Sequence, residues 1–267
     1  MSLKDRVRKE VEREERKYET ERRMREKRSE EYEVLEEVFD RSTLMTIYEL
    51  MNDDIIKEID GVVDSGKESR IYWGIGPNNE EIAIKIFLTV SAEFRRGRLQ
   101  YIFGDPRFKS VKRDIRHLVY QWAQKEFKNL KLAYEAEVRV PRPIAISKNV
   151  LVMEFIGKNG ASAPLLKDVE LKNPARIYNN ILLHVKRLYR DAKLVHGDLS
   201  EYNIMFWRGR PILFDFSQAV SIEHPSSDQF LIRDIENINR FFSKIGVNVI
   251  DVEEIYKVIT GGTAGLH

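Results

Sequence analysis

Between Val195 and Gln218 the chain reads VHGDLSEYNIMFWRGRPILFDFSQ. Two apolar, strand-like runs, IMFW and PILF, flank an Arg208-Gly209-Arg210 turn, a pattern that predicts a hairpin. Its polar interruptions are Asp198, Asn203 and Asp215. The loop before the hairpin holds the first two, and the second strand returns the third beside Asn203. Isolated Asp and Asn are common in turns, so the three are either turn formers or a site.

The surrounding pattern divides the chain. Residues 1–31 alternate in charge with almost nothing apolar to bury, which predicts a solvated helix or disordered arm, or else a docking arm for a partner. YEVLEEVFDRSTLMTIYELMNDDIIKEIDG, from Tyr32, has helical spacing in two runs broken near residues 40–43, with Ser42 or Thr43 as candidate cap of the second. VVDSGKESRIYWGIGPNNEEIAIKIFL then reads as strands around a GPNNEE turn, HLVYQWAQKEFKNLKLAYEA as a long helix, and VPRPIAISKNVLVMEFIG as two short strands. Past Gly157 the chain is mainly helical apart from the opening hairpin. The expected fold class is α+β in two lobes, a small sheet-bearing lobe (32–156) and a mainly helical one (157–267), with a cleft between them.

Composition limits the chemistry. With no cysteine, thiolate catalysis and cysteine-ligated metals are excluded. A formal net charge of +2 over 267 residues leaves any nucleic-acid contact to a local patch. No run of about 18 apolar residues occurs, and we expect a cytoplasmic protein without membrane contact.

GVVDSGKES has the G-x-x-x-x-G-K spacing of a P-loop, but Glu68 stands where a Ser or Thr would meet Mg²⁺, and SRIYWG continues as a strand where a helix is needed. A hairpin turn remains, able to lay N–H groups over phosphate. Lys85, in IAIKIF, is a charge in an apolar strand. Glu126 lies on the apolar stripe of Leu118, Trp122 and Leu130. Each is costly to bury alone, so each rationalises the other, and together they resemble the lysine–glutamate pair of protein kinases. Asp198 can orient an attacking hydroxyl, while Asn203 and Asp215 offer oxygens for Mg²⁺. His196 is read as a brace for this loop.

DSGKES, HGDLSEYN and DFSQAVSIEHP resemble the motifs of the RIO family of atypical protein kinases, and VFDRSTLMTIYELM, WAQKEFKNL and LVMEFIG are similar to its type-1 branch, over residues 32–260. The resemblance implies an ATP- and Mg²⁺- (or Mn²⁺-) dependent serine/threonine kinase, with ATP hydrolysis a further activity. Lys85 would contact phosphates beside its partner Glu126, Asp198 would be the catalytic aspartate, and Asn203 and Asp215 the metal ligands. Asp215 would also be able to take the phosphoryl group itself. Ser65, Gly66, Lys67 and Ser69 would line the phosphate loop, and Met153, Glu154, Phe155 and Ile156 the adenine hinge. Ordinary kinases differ: Gly197 stands where they carry Arg, Ser217 replaces the glycine of D-F-G, and no A-P-E segment follows.

The resemblance also implies partners: the small-subunit pre-ribosomal particle and its rRNA, and protein substrates including the chain itself. Insert 94–116 carries Arg95, Arg96, Arg98, Arg107 and Lys109 among Tyr101, Phe103 and Phe108, suited either to RNA or to packing of its aromatics on the lobe. Ser110 is a candidate self-phosphorylation site. Two alternatives stand beside this reading, an aminoglycoside- or choline-kinase-like phosphotransferase and an assembly factor gated by nucleotide.

Overall fold

The computed structural model describes residues 39–66, 68–88, 101, 105 and 115–261. The chain divides into two units, 1–48 and 49–267. In the first, Asp40 accepts the Thr43 N–H at 2.8 Å and so caps helix α1 (Arg41–Asn52). The cap is Asp40, not Ser42 or Thr43, because its carboxylate reaches the third N–H of the first turn. The charged arm 1–31 and the first helical run lie outside the described residues.

In the second unit a five-stranded antiparallel sheet has the order β1-β2-β3-β5-β4, with β1 (Glu58–Ser65), β2 (Ser69–Ile75), β3 (Glu81–Phe87), β4 (Pro143–Ser147) and β5 (Val150–Glu154). The GPNNEE turn forms as read: the Gly76 N–H bonds the Glu80 C=O at 2.8 Å, and Asn79 takes the left-handed φ of 60° that Asn tolerates. Central β3 is covered on both faces, which explains its near-continuous apolar sequence. Its register sets Lys85 between Ile71 and Leu151. Helix α2 (Ile115–Glu135) packs against β4 and β5.

The remainder carries two-stranded β6 (Gly157–Lys158) and β7 (Ala161–Ser162), helix α3 (Pro174–Arg190), β8 (Leu194–Val195), the hairpin β9 (Ile204–Trp207) and β10 (Arg210–Leu213), β11 (Val220–Ser221), and helices α4 (Ser227–Lys244) and α5 (Val252–Thr260). The hairpin turn is narrower than the sequence suggests. Arg208 and Gly209 alone make it, with φ 51° and 76°, and Arg210 already belongs to β10. Successive positive φ values give the primed turn whose twist matches its strands. One apolar cluster runs from Ala83 and Leu151 through Trp122 to Phe216 and Ile238, so the sheet and the helices share a core. No helix among the described residues is long and apolar enough to cross a membrane.

Candidate active site

Lys85 and Glu126 meet inside that core. The Lys85 Nζ lies 2.8 Å from both Glu126 carboxylate oxygens and 3.1 Å from Asp215 Oδ1. The side chains of Lys85 and Glu126 are 7% and 1% exposed, whereas Asp215 keeps 38%. Burial alone would drive the proton off Lys85, but Asp215 and Glu126 override it and raise the lysine pKa. Glu126 is raised by burial, which Lys85 only partly offsets. Burial opposes ionisation of Asp215 too, yet Lys85 and a bond from Ser217 hold it down to about 2. The site therefore keeps one fixed cation and, at its open edge, one fixed anion.

The hairpin brings the remaining residues in. Phe214 donates its N–H to the Asn203 C=O at 3.1 Å, which seats Asp215 beside Asn203. Asn203 directs its Nδ2 to the Asp198 C=O at 2.7 Å and to Asp198 Oδ2 at 3.3 Å, leaving its Oδ1 as an acceptor. Gln218 Nε2 reaches Asp198 Oδ2 at 2.9 Å. His196 is buried, and its Nε2 meets the Phe214 C=O at 3.1 Å, tying the Asp198 loop to the residue before Asp215. Burial lowers its pKa to about 4, the Phe214 bond opposing, so the ring is neutral and fits a brace. Gly197 has φ 78°, and a Cβ there would lie 3.1 Å from the Gln218 C=O. A side chain at 197 would disturb the loop itself. Asp215 adopts φ 59°, a strained backbone for a non-glycine residue that aims its carboxylate back at Lys85.

Several contributors escape a reading of the sequence. Asp234, 1% exposed on α4, accepts the N–H groups of Gly197 and Leu199, each at 2.8 Å, on either side of Asp198. Arg233 donates to the Gly197 C=O. Two buried α2 residues clamp the segment after Asp215: Lys125 donates to the C=O of Ser217 at 2.9 Å and of Ala219, and Asn129 to the C=O of Phe216 and Ala219. The only sequence signal for these was a polar residue on a buried helical face. The helix that carries Glu126 thus also fixes the backbone behind Asp215.

Other expected residues are placed less directly. Met153 lies in the core opposite Ala83, while Phe155 gives its N–H to the Glu81 C=O and the Ile156 C=O accepts from Ala163. Gly66 gives its N–H to the Ser69 C=O, so that group is spent on the turn; Ser65 opposes Arg70, and Lys67 lies outside the described residues. Tyr101 is buried against Trp122 and Phe230, with centroids 6.4 and 5.2 Å apart, so it is no exposed stacking surface. Its ring fills the space above the Asp198 loop because that contact buries more than solvent exposure would. Most of insert 94–116, including Ser110, Arg95, Arg96 and Arg98, lies outside the described residues.

The donor set fits magnesium. Asn203 Oδ1 and the Asp215 carboxylate are hard oxygens, and among the described residues no three His, Cys, Asp or Glu side chains cluster to cage an ion. Two protein oxygens, completed by phosphate and water, are how Mg²⁺ is commonly held.

A small antiparallel sheet with its lysine paired to a helix glutamate, joined to a helical half, is a two-lobed protein-kinase-like fold. A crystal structure of the Rio2 kinase from Chaetomium thermophilum aligns with a TM-score of 0.62 and 25% identity, over 82% of this chain and 68% of that one. Residues 70–255 match the RIO domain model. The RIO-type serine/threonine-protein kinase Rio1 of Haloferax volcanii is 39% identical over 239 residues, 90% of this chain and 81% of its own. The human serine/threonine-protein kinase RIO1 is 39% identical over 231 residues, of whose length the chain spans 40%. The chain belongs to the RIO family, in its Rio1 branch, and is an enzyme of the protein-kinase class.

Proposed function

We propose that the protein transfers the γ-phosphoryl group of Mg²⁺-ATP to serine or threonine hydroxyls. The observation that carries this reading is the Lys85 ammonium held between buried Glu126 and half-open Asp215. A cation locked in place can meet phosphate oxygens without reorganising during the reaction. Asp198, oriented by Gln218 and Asn203, accepts or directs the proton of the acceptor hydroxyl. Asn203 and Asp215 hold Mg²⁺, which neutralises charge on the phosphates. The adenine edge docks at Met153 to Ile156, and Ser65, Gly66, Lys67 and Ser69 cover the phosphates.

Water at the acceptor position makes the same site an ATP hydrolase, and Asp215 is a second phosphoryl acceptor because its carboxylate stays ionised and partly open. The kinase domain spans 32–260. Its setting is the cytoplasm, in maturation of the small ribosomal subunit, with the basic residues of insert 94–116 on precursor rRNA. Incubation with γ-labelled ATP and Mg²⁺, followed by acid and base treatment, tests the chemistry. Label stable in acid but lost in base marks phosphoserine or phosphothreonine, and label lost in both and on mild hydroxylamine treatment marks an acyl phosphate on Asp215. No label on any protein, with label passing only to sugars or choline, would contradict the proposal.

A further inference from the structure

A cavity lies apart from these residues, between α3 and the segment before it, the loop after α2 and the β9–β10 hairpin, with a volume of about 890 Å³. Its walls carry Arg139, Lys172, Arg176, Arg187, Arg208 and Arg210 against the acids Glu137 and Glu170 alone. That is a local excess larger than the +2 of the whole chain. Arg187 is committed to Glu137, whose C=O lies 3.0 Å and carboxylate 3.6 Å away, and Arg208 stacks over Trp207. Arg139, Lys172, Arg176 and Arg210 form no ion pair with a described carboxylate. Arg139 is the most constrained: its Nε is buried without a hydrogen-bond partner, and burial and nearby Arg210 disfavour its charge more than Glu154 favours it. His184, 7% exposed, lines the same wall with its Nδ1 unpartnered. Repelling guanidiniums and the unmet Arg139 donor around one cavity are relieved by an anion.

The shape argues for an extended anion. The uncommitted cations Arg139, Lys172, Arg176 and Arg210 come from three separate segments around a cavity of about 890 Å³. One phosphate leaves most of that space and most of those cations unmet; a strand of several nucleotides reaches them together. An adjoining cavity of about 490 Å³ shares Glu137, Arg139 and Arg208 and adds the acid Glu154 together with Trp207 and Tyr134, the last 47% exposed. Cations that track a backbone beside an open aromatic face are the elements of single-strand recognition. We infer that this groove is a binding site for single-stranded RNA, gripped through its phosphates by Lys172, Arg176, Arg210 and Arg139. The larger cavity shares no residue with the phosphoryl-transfer site, while its neighbour reaches the hinge residues Glu154 and Ile156.

The test measures anisotropy of a fluorescein-labelled single-stranded oligoribonucleotide of about twelve nucleotides, within the range of known single-strand site sizes, on the full chain across a salt series. Lys172, Arg176 and Arg210 are exposed, so K172E/R176E/R210E should fold; its unfolding curve and self-phosphorylation rate should match wild type. Affinity should fall at least about tenfold, and the slope of log affinity on log salt should become shallower by about 2, since each phosphate contact with a single strand contributes about 0.7. Asp198→Ala should bind RNA as wild type does. Unchanged affinity and slope in the triple variant overturn the inference. So does complete dependence of RNA binding on Arg95, Arg96 and Arg98.

Discussion

Lys85 and Glu126 are 41 residues apart in the chain and 2.8 Å apart in the fold, Lys85 the one buried charge on its strand and Glu126 the one buried carboxylate on its helix. Glu126→Ala keeps Lys85 on Asp215 at 3.1 Å and should lose less, whereas Lys85→Ala leaves Glu126 buried without its hydrogen-bonded cation, a change that costs about 3–5 kcal/mol in urea unfolding. Lys85→Met/Glu126→Leu, with no charge left to strand, should recover most of it while phosphoryl transfer stays abolished. Stability that tracked activity through these variants would contradict separate structural and chemical roles.

Lys125 should be as sensitive, although it touches none of the residues expected to do chemistry. Its ammonium satisfies two backbone carbonyls behind Asp215, and Met would fill the volume but not the bonds. Unsatisfied buried carbonyls cost about 1–3 kcal/mol each. The Ala219 C=O keeps Asn129 at 2.8 Å, so Lys125→Met should lower stability by about 1–3 kcal/mol and reduce kcat at least tenfold, because the segment carrying Asp215 loses part of its clamp. A loss below about 0.5 kcal/mol, with kcat intact, would remove the clamp from the account.

Two buried groups give stability opposite pH dependences. His196 titrates near 4 in the fold and near 6.5 unfolded, so the unfolded chain takes up protons first as pH falls. Wild type should thus lose stability relative to His196→Asn between pH 6.5 and 4, by about 2–3 kcal/mol. Asp234 runs the other way. Burial, against the Leu199 and Gly197 N–H bonds, raises it to about 7 from 3.8. The fold then holds a proton the unfolded chain has released, and wild type should lose stability relative to Asp234→Asn as pH rises from 4 to 7. Denaturant unfolding at several pH values reads both signs.

Much of the layout was legible because it rests on periodicity and turn chemistry: the alternation around GPNNEE, the helical stripe of α2, the hairpin around Arg208 and Gly209. The Lys85–Glu126 pair was legible for a different reason. Each residue violates the apolar pattern of its own element, and two violations suggest one contact. Asp234, Lys125 and Asn129 also interrupt apolar faces, yet their partners are backbone groups at Gly197, Leu199 and residues 216–219, which leave no mark in a side-chain pattern. Tyr101 is ambiguous in the sequence for the converse reason, since an aromatic among arginines reads the same whether it faces solvent or packs on Trp122 and Phe230. The groove of Arg139, Arg176 and Arg210 was hidden because its cations come from three distant segments that only the fold assembles.

The central claim is a division of labour between two aspartates, Asp198 acting on the acceptor hydroxyl and Asp215 holding the metal-bound phosphates. Phosphoryl transfer from γ-labelled ATP, measured beside equilibrium binding of Mg²⁺-ATP for Asp198→Ala and Asp215→Ala, tests it most directly. Asp198→Ala should cut transfer by at least about a hundredfold, the scale of a lost general base, with ATP binding within about twofold of wild type. Asp215→Ala should lose both transfer and Mg²⁺-dependent binding. Full turnover by Asp198→Ala, or undiminished Mg²⁺-ATP binding by Asp215→Ala, would contradict the assignment.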